Sequence, residues 1–584
     1  MGKHTLSPAP LPPRKRAQTA AHQTPKTTPA LTFESALYDE LILVCFSFLS
    51  YRDLCLSQST SRNWARLSAD NHLWKGLYLR TFGRARLRGT RGFIGRTDGR
   101  EVRPLPGRAA RGGAADARLV DHRDWKWMFR ISANWKSGRC VSERLHHCPP
   151  PSSGPRLAQR GIATATFWPN APTHILLAGA LTITASASSA SPIIRLQTPT
   201  GNHTLDCSSS LSSSRGATRQ SNATPLFITA LAMDQSPPIA GHIRIAALLS
   251  SGSMQVYTID PAHLSAARCS ASYTPHRRAE RAQQAVYHHP LLITLSNSFD
   301  LNLYDLSGAA VRRVETLSSF TSYPPSSMVL SADVSIPPSS ASAYKLVLSF
   351  AVPIFPSHWS LGSTEIMIAG AATASPSLPS AASLLHAEPQ APPFTITSTR
   401  TARALDVPQG FVDQSKLRAM RAQWSRKVVA VADTATDGRW VVLAGGEPLL
   451  ADTSSSSSGS SSPSSSPLAP SSPHGFMTSP PVQLYRLSLP SVASLPAKLT
   501  FVRHLHGADG ALSALALADG RCVALGASGR VWVWDLEAAG EGVEVGAGGF
   551  EGGEPVGVKG TVAFDERSIV TGSAAGVVVR RFDV

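Results

Sequence analysis

Apolar side chains recur at helical spacing between residues 31 and 80. The first stripe consists of Leu37, Leu41, Cys45, Phe46 and Leu49. Most of these residues follow one another three or four positions apart, which puts them on one face of an amphipathic helix. Residues 50–53 interrupt the stripe and can cap a second helix, and further short helices follow up to residue 82. Such a small bundle has little interior of its own, so we expect a partner to cover its remaining apolar face.

From about residue 157 onwards the pattern changes to short β-type runs separated by Gly, Ser, Pro and Asp turns. Several of these runs end alike, at residues 254–260, 301–306, 482–487, 531–536 and 577–584. Equivalent aspartates lie 45 positions apart at Asp260 and Asp305, and 48 positions apart at Asp535 and Asp583. This period matches one four-stranded blade of a β-propeller. The repeat favours a propeller of six or seven blades over an all-β sandwich.

One of these runs also predicts how the blades pack. Val531 and Val533 point to one face of the strand, whereas Trp532 and Trp534 point to the other. A strand that is apolar on both faces is typical of a sheet sandwiched between two neighbours. We therefore expect this strand to lie between adjacent blades.

The amino-acid composition distinguishes two low-complexity segments within the chain. Residues 370–393 are rich in Ala, Ser and Pro, and residues 452–481 are nearly all Ser and Pro, so neither segment can bury enough apolar surface to order itself. The second falls between two predicted strands of one blade. The fold class is thus α+β multidomain, with disordered insertions near 370–393 and 452–481. The predicted order is a disordered tail at 1–30, a helical domain at 31–82, an Arg/Gly-rich flexible loop at 83–120, a linker helix and connection at 121–156, and the propeller at 157–584.

Charge is concentrated at the N-terminal end. The chain has a net charge of +18, and residues 1–150 hold 26 Lys and Arg against 11 Asp and Glu. A basic first quarter beside a nearly neutral body indicates a basic linker more than a nucleic-acid-binding protein. The ten arginines within residues 83–120 leave RNA or an acidic partner open as alternatives.

Motifs for metal binding and catalysis are missing. The seven cysteines are scattered without a Cys-x-x-Cys pair, so no zinc framework or other cofactor site is predicted, and dispersed thiols fit a reducing compartment. Residues 552–559 superficially resemble a phosphate loop but lack the Gly-Lys-Ser/Thr ending. There is no apolar stretch for a signal peptide or a membrane span. We expect a non-enzymatic protein of the cytoplasm, the nucleus or both.

Residues 37–54, with their continuation at 56–68, resemble the F-box family. The matching features are Phe46-x-x-Leu49, Asp53-Leu54, Arg62-x-Trp64 and Leu73-Trp74. Two positions depart from the family pattern. Tyr38 stands where the family usually has Pro, and Cys45 stands where it usually has Ile.

The resemblance implies a partner and a set of contacts. F-box helices bind a Skp-type adaptor, which in turn docks on a cullin, and the contact is a helix seated in a groove through apolar anchors. The residues implied in adaptor binding are Leu37, Tyr38, Leu41, Cys45, Phe46, Leu49, Leu54 and Trp64. Some of these side chains are also expected to form the interior of the bundle.

Residues 124–140 resemble the segment that links the F-box to the propeller in WD-repeat F-box proteins. The most distinctive part is Asn134-Trp135-x-x-Gly138-Arg139. The resemblance implies that the protein is a substrate-recognition adaptor of a Skp–cullin–F-box ubiquitin ligase, whose propeller of WD-like blades binds a protein substrate and no small molecule or membrane. Two alternatives remain. One is a Skp-binding scaffold outside a cullin complex, suggested by Tyr38 and Cys45, and the other is a basic, nucleic-acid-associated propeller protein.

Overall fold

The computed structural model describes residues 33–83, 124–145 and 173–584, the last range with gaps. The gaps are at 188–191, 209–225, 237–240, 276–279, 309, 333–341, 371–392, 406–409, 447–481, 491–494, 519, 539, 547–558 and 574–575. The predicted tail, nearly all of the Arg/Gly-rich loop and the two low-complexity insertions therefore lie outside the described residues. The chain divides into two compact units, Met1–Thr81 and Phe82–Val584.

Short helices make up the described N-terminal residues. They are α1 (Phe33–Ala36), α2 (Asp39–Phe46), α3 (Tyr51–Ser57), α4 (Arg62–Ser68) and α5 (Asn71–Phe82). Serine side chains determine where two of them begin: the hydroxyl of Ser50 accepts a hydrogen bond from the Asp53 amide at 3.3 Å, and that of Ser61 accepts one from the Trp64 amide at 3.1 Å. This confirms the predicted bundle of short helices.

Large apolar side chains form the core of this bundle. The fully buried ones are Ile42, Phe46, Leu54, Leu67, Trp74 and Tyr78. The indole nitrogen of Trp74 donates a hydrogen bond to the Ser68 carbonyl at 2.8 Å, so the buried ring leaves no polar atom unpaired. The ring of Phe46 meets the ring of Trp64 edge to face, with centroids 5.3 Å apart, and joins α2 to α4.

The second unit is built from antiparallel four-stranded sheets. Before them come α6 (Trp125–Ser137) and β1 (Val141–Leu145). Blade one comprises β2 (Thr173–Ala178), β3 (Leu181–Ser186), β4 (Ile193–Thr198) and β5 (Gly201–Asp206). Blade two comprises β6 (Ile228–Met233), β7 (Ile243–Leu249), β8 (Met254–Ile259) and β9 (Arg268–Tyr273). Blade three comprises β10 (Ala282–His288), β11 (Leu291–Ser296), β12 (Asp300–Asp305) and β13 (Arg312–Ser318).

Four more blades follow in the same order. Blade four comprises β14 (Tyr323–Ala332), β15 (Ala343–Ile354), β16 (His358–Gly370) and β17 (Phe394–Arg403), and α7 (Gln414–Trp424) comes after it. Blade five comprises β18 (Ala430–Thr436), β19 (Trp440–Gly446), β20 (Val482–Ser488) and β21 (Lys498–Leu505). Blade six comprises β22 (Leu512–Ala518), β23 (Arg521–Gly526), β24 (Val531–Asp535) and β25 (Val543–Glu544). Blade seven comprises β26 (Thr561–Phe564), β27 (Ser568–Ser573), β28 (Gly576–Arg581) and, from the other end of the unit, β1.

The seven sheets form a closed ring. The first strand of each blade contacts the first strand of the next, and β26 of blade seven contacts β2 of blade one. The hydrophobic clusters lie between neighbouring blades, as expected when each sheet buries both faces. Trp532 and Trp534 of β24 are both fully buried, which confirms the predicted sandwiched strand. The fold is therefore a seven-blade β-propeller.

The ring is closed by a strand that the sequence analysis did not assign to the propeller. β1 pairs with β28, with Val141 opposite Arg581 and Leu145 opposite Val577. The predicted propeller start at residue 157 is therefore too late, because part of the assumed connection is the outermost strand of blade seven. β1 lies at a sheet edge and its side chains are mostly exposed. It therefore carries no alternating apolar pattern that would reveal a strand.

Helix α6 packs on the closing blade. The ring of Trp135 stacks on Phe582 with centroids 4.0 Å apart, and its indole nitrogen donates to the Glu566 carbonyl at 2.9 Å. The side-chain amide of Asn134 donates to the Phe582 carbonyl at 2.9 Å. The guanidinium of Arg521 lies over the Trp135 ring, 4.5 Å from its centroid. These contacts make α6 part of the propeller unit, which gives the Asn-Trp pair a structural role.

Replacing Gly138 with Ala is expected to lower the free energy of unfolding of the propeller unit by about 2–4 kcal/mol. Gly138 ends α6 at φ +69°, and an added Cβ would overlap the Glu544 backbone carbonyl. Chemical denaturation followed by tryptophan fluorescence measures the loss. Gly76→Ala is the matched control, since Gly76 lies inside α5 with open space around its Cα, and it should be neutral or mildly stabilising. Equal stability of the Gly138 variant and the unmodified chain would contradict the role of this turn.

Candidate partner-binding surface on the N-terminal helices

The two faces of α2 have different surroundings. Ile42 and Phe46, four positions apart, point inward and are 0% and 3% exposed. Leu41 is 50% exposed, and Val44 and Cys45 point outward beside it. A helix of eight residues in such a small bundle cannot bury both of its apolar faces. One face therefore makes the core and the other remains open to a partner.

Exposed apolar side chains lie on α2, on the residues that flank it and on α3. The α2–α3 surface, the name used below, consists of Tyr38, Leu41, Val44, Cys45, Phe48, Tyr51 and Leu56. Tyr38 and Phe48 are each 80% exposed, the highest values among the large apolar side chains described between residues 33 and 81. Exposed aromatic and aliphatic side chains grouped in this way mark protein interaction sites.

The eight residues implied by the F-box resemblance are divided between core and surface. Phe46 and Leu54 are buried inside the bundle, at 3% and 1% exposure. Leu37, Leu49 and Trp64 are partly exposed. Tyr38, Leu41 and Cys45 lie on the α2–α3 surface. Phe46 and Leu54 therefore cannot contact a partner unless the helices unfold, whereas the exposed residues can.

Trp64 connects the core to the surface. Its ring contacts Phe46 edge to face and also meets Phe33, with centroids 6.0 Å apart. The residue sits in the first turn of α4, held by the Ser61 cap. A half-buried aromatic in this place stabilises the packing of three helices. Its contribution to partner binding would therefore be mainly positional.

Several members of the surface were missed by the sequence analysis. Val44, Phe48, Tyr51 and Leu56 do not belong to the predicted stripe. Val44 falls between its positions, Phe48 lies in the turn after α2, and Tyr51 and Leu56 lie in α3. The available signal was the density of apolar residues from 41 to 49, which exceeds what one buried face of a short helix requires. Apolar residues beyond that need are candidates for a partner-facing surface.

Polar contacts hold the helices beside this surface. The guanidinium of Arg66 on α4 pairs with the Asp39 carboxylate on α2 at 2.5 Å, and Arg80 on α5 donates to the Ser47 carbonyl at 3.1 Å. Both side chains of the ion pair are about half exposed, so the pair adds little stability. These contacts orient α2 against α4 and α5.

No arrangement for metal chemistry occurs in the described part of the chain. The described residues contain no group of three or more His, Cys, Asp or Glu side chains that could hold a metal ion. Burial raises the pKa of the Cys140 thiol, which keeps it protonated at neutral pH and disfavours it as a nucleophile. Among the described helices, none is both long and apolar enough to cross a membrane.

Comparisons with known proteins agree with this geometry. The F-box-like family model matches residues 39–80, which contain α2, α3, α4 and most of α5. The chain thus carries an F-box-like domain followed by a seven-blade β-propeller, an arrangement consistent with an F-box/WD-repeat protein. No curated protein sequence matches the chain.

Solved structures resemble the propeller at low identity. BamB from Moraxella catarrhalis has 11% sequence identity and a TM-score of 0.32, covering 70% of this chain and 95% of that one. The β-propeller domain of Cps50 (Swd1) from Myceliophteria thermophila has 10% identity and a TM-score of 0.34, covering 70% of this chain and 95% of that one. Values this low carry no inference about function.

Proposed function

We propose that this protein is the substrate-recognition adaptor of a Skp–cullin–F-box ubiquitin ligase. The combination of an F-box-like domain with a propeller supports a protein-interaction adaptor, an architecture that is typically non-catalytic. In this proposal the α2–α3 surface binds a Skp-type adaptor, and through it a cullin, in the cytoplasm or the nucleus. The propeller holds the protein to be ubiquitinated.

One observation carries the proposal. The residues that the F-box-like family model matches contain all members of the apolar α2–α3 surface except Tyr38, which immediately precedes the match. An F-box that had lost its partner would have no reason to keep two aromatic side chains at 80% exposure, because such groups favour aggregation. The coincidence of family match and open apolar surface is what a helix-in-groove contact with an adaptor requires.

Catalysis of the whole complex would come from proximity. An adaptor of this kind contributes no reacting group. It raises the effective concentration of a substrate lysine near the ubiquitin-charged enzyme, which can reach the millimolar range for a short tether (~1 mM). The closed propeller suits this task, since a rigid scaffold loses little conformational entropy when a substrate binds.

Co-purification tests the proposal. Tagged full-length protein, expressed in eukaryotic cells, should recover both a Skp-type adaptor and a cullin, as read by mass spectrometry. A chain that lacks residues 33–81 should recover neither. Recovery of the adaptor without a cullin would favour a scaffold outside the ligase, for which the exposed Tyr38 and Cys45 at unusual F-box positions are the motivating feature. Recovery of neither by the full chain would refute the proposal.

A further inference from the structure

Blade four projects from the propeller ring on one edge. β15 and β16 have 12 and 13 residues, whereas the strands of the other blades have at most eight. β14 begins at Tyr323 opposite Ala351, and β17 ends at Arg403 opposite Gly362. The hairpin formed by residues 352–361 therefore extends beyond both flanking strands of its own sheet.

The segment after blade four is fastened to this hairpin. Trp359 and Val428 exchange two backbone hydrogen bonds, of 2.7 Å and 3.0 Å. The ring of Trp359 meets that of Tyr323 edge to face, with centroids 5.9 Å apart. α7 ends four residues before Val428, so its C-terminal turn is held near the hairpin. The loop before β14, the hairpin tip and the end of α7 thus lie on the same edge of blade four.

Large apolar side chains point into solvent on this edge. Phe320, in the loop before β14, is 90% exposed, and Phe355, in the hairpin turn, is 89% exposed. Trp424, the last residue of α7, is 41% exposed. α7 itself has no buried residue, although Leu417 and Trp424 share one face at helical spacing. A helix with an apolar face that its own fold does not cover indicates a missing partner.

The same edge is strongly basic. Residues 410–429 contain four basic side chains that belong to this edge, Lys416, Arg418, Arg421 and Lys427, and one acidic side chain, Asp413. A fifth, Arg426, lies over the Phe501 ring of blade five, 4.6 Å from its centroid, and is not part of the edge. The Asp413 carboxylate already caps α7, accepting hydrogen bonds from the Lys416 amide and the Ser415 hydroxyl at 2.7 Å each. Within the described part of the chain, Lys416, Arg418 and Arg421 form no ion pair. Their charges remain available to an acidic partner.

We propose that this edge, called the blade-four surface and defined by Phe320, Phe355, α7 and Lys427, binds an acidic peptide segment that carries aromatic or aliphatic side chains. The proposal rests on the proposed function, because it locates the substrate of that adaptor on the propeller. Apolar side chains of the segment would pack on Phe320, Phe355 and Trp424. Its carboxylates would face the basic residues of α7, whose 11 residues span ~16 Å.

Charge distribution favours a protein over a nucleic acid. The loop at 320–323 and the hairpin tip at 354–359 contain no Lys or Arg, so the segments of Phe320 and Phe355 supply no cation for a phosphate backbone. Of the three aromatic side chains, only Trp424 has a cation of the described residues on its ring, the ammonium of Lys427 at 4.8 Å from the centroid. Single-stranded nucleic acid requires cations that follow its backbone together with stacking rings. Here the cations are confined to α7 and the residues after it, which matches a segment that is acidic at one end and apolar at the other.

Defined peptides test the proposal with the full-length protein. The probe is a fluorescent 12-residue peptide with a Glu-rich half and a Phe/Leu-rich half, and its binding is followed by anisotropy. Two comparison peptides replace Glu with Gln, or Phe and Leu with Ser. We expect saturable binding of the first peptide, weaker binding of both others, and about tenfold or greater loss for the Arg421→Glu/Lys427→Glu and Phe355→Ser/Trp424→Ser proteins. Arg268→Glu, an exposed charge reversal on blade two, is the matched control and should bind normally.

The remaining outcomes overturn the proposal. Equal binding of the Glu and Gln peptides, unchanged affinity of the charge-reversed protein, or no binding up to about 1 mM peptide would each do so. Tighter binding of an oligouridine of 12 nucleotides, in competition with the peptide, would reassign the surface to nucleic acid.

Adaptor recovery is measured on the same variants. If the peptide fails while adaptor and cullin are still recovered, the blade-four surface is wrong and the ligase role stands; if recovery fails too, the proposed function has failed independently.

Discussion

The double substitution Leu41→Asp/Phe48→Asp is expected to abolish recovery of the Skp-type adaptor while leaving the helices folded. Both side chains are at least half exposed, at 50% and 80%, so neither change opens a cavity in the core. Burying each native side chain at an interface is worth about 1.5–3 kcal/mol, and a carboxylate in its place must be desolvated without a partner. We expect affinity to fall at least about 100-fold, equivalent to ~2.7 kcal/mol.

Two control variants separate binding from folding. His72→Asp, an exposed change on α5, should keep normal adaptor recovery. Phe46→Ala should lose recovery together with thermal stability, because Phe46 is buried and contacts Trp64. Circular dichroism and thermal melting establish which variants are folded. Normal recovery by a folded Leu41→Asp/Phe48→Asp protein would refute the α2–α3 surface as the adaptor site.

The substitution Trp135→Ala is expected to lower the free energy of unfolding of the propeller unit by about 3–5 kcal/mol. Trp135 is 2% exposed, stacks on Phe582 and donates a hydrogen bond to the Glu566 carbonyl. Its removal also uncovers Arg521, a guanidinium that is 6% exposed and lies over the indole ring. Without the indole ring, the buried guanidinium of Arg521 would lie beside an empty cavity. This adds to the loss of stability that the cavity itself causes.

Denaturation in urea measures this loss, with the propeller transition followed separately from that of the N-terminal helices. The matched control is Trp127→Ala on the same helix. Trp127 is partly exposed and has the Arg567 guanidinium 5.0 Å from its ring centroid, so we expect a loss of only about 1–2 kcal/mol. If both variants lose the same stability, the stack on Phe582 is not the contact that holds α6 to blade seven.

The spacing of apolar residues was sufficient to predict those helices and strands in which apolar positions recur regularly. The helix at 37–49 and the strand at 531–535 were both predicted from spacing alone. Both faces of β24 are buried, whereas the predicted stripe on α2 combines the buried Phe46 with the exposed Leu41 and Cys45. β1 and α7 lacked such a signal. β1 is an exposed edge strand paired with a segment more than 430 residues away, and α7 has no buried residue.

For the candidate surface, the residues named from the sequence include the exposed Tyr38, Leu41 and Cys45 as well as the buried Phe46 and Leu54. Phe46 and Phe48 are two positions apart and chemically identical, yet one is 3% and the other 80% exposed. Their difference depends on where α2 ends and on the position of Trp64, which periodicity does not specify. A substitution designed from the sequence at Phe46 would have tested folding instead of binding.

By itself, then, the sequence determined that a small helical F-box-like domain precedes a propeller of repeated four-stranded blades. Those features depend on short-range periodicity, which is set by the geometry of helix and strand. Only the tertiary structure decided that there are seven blades, that β1 closes the last of them, and that Phe320, Phe355 and the end of α7 lie on the same edge of blade four. Each of these depends on contacts between residues far apart in the chain, and such contacts leave no periodic trace in the sequence.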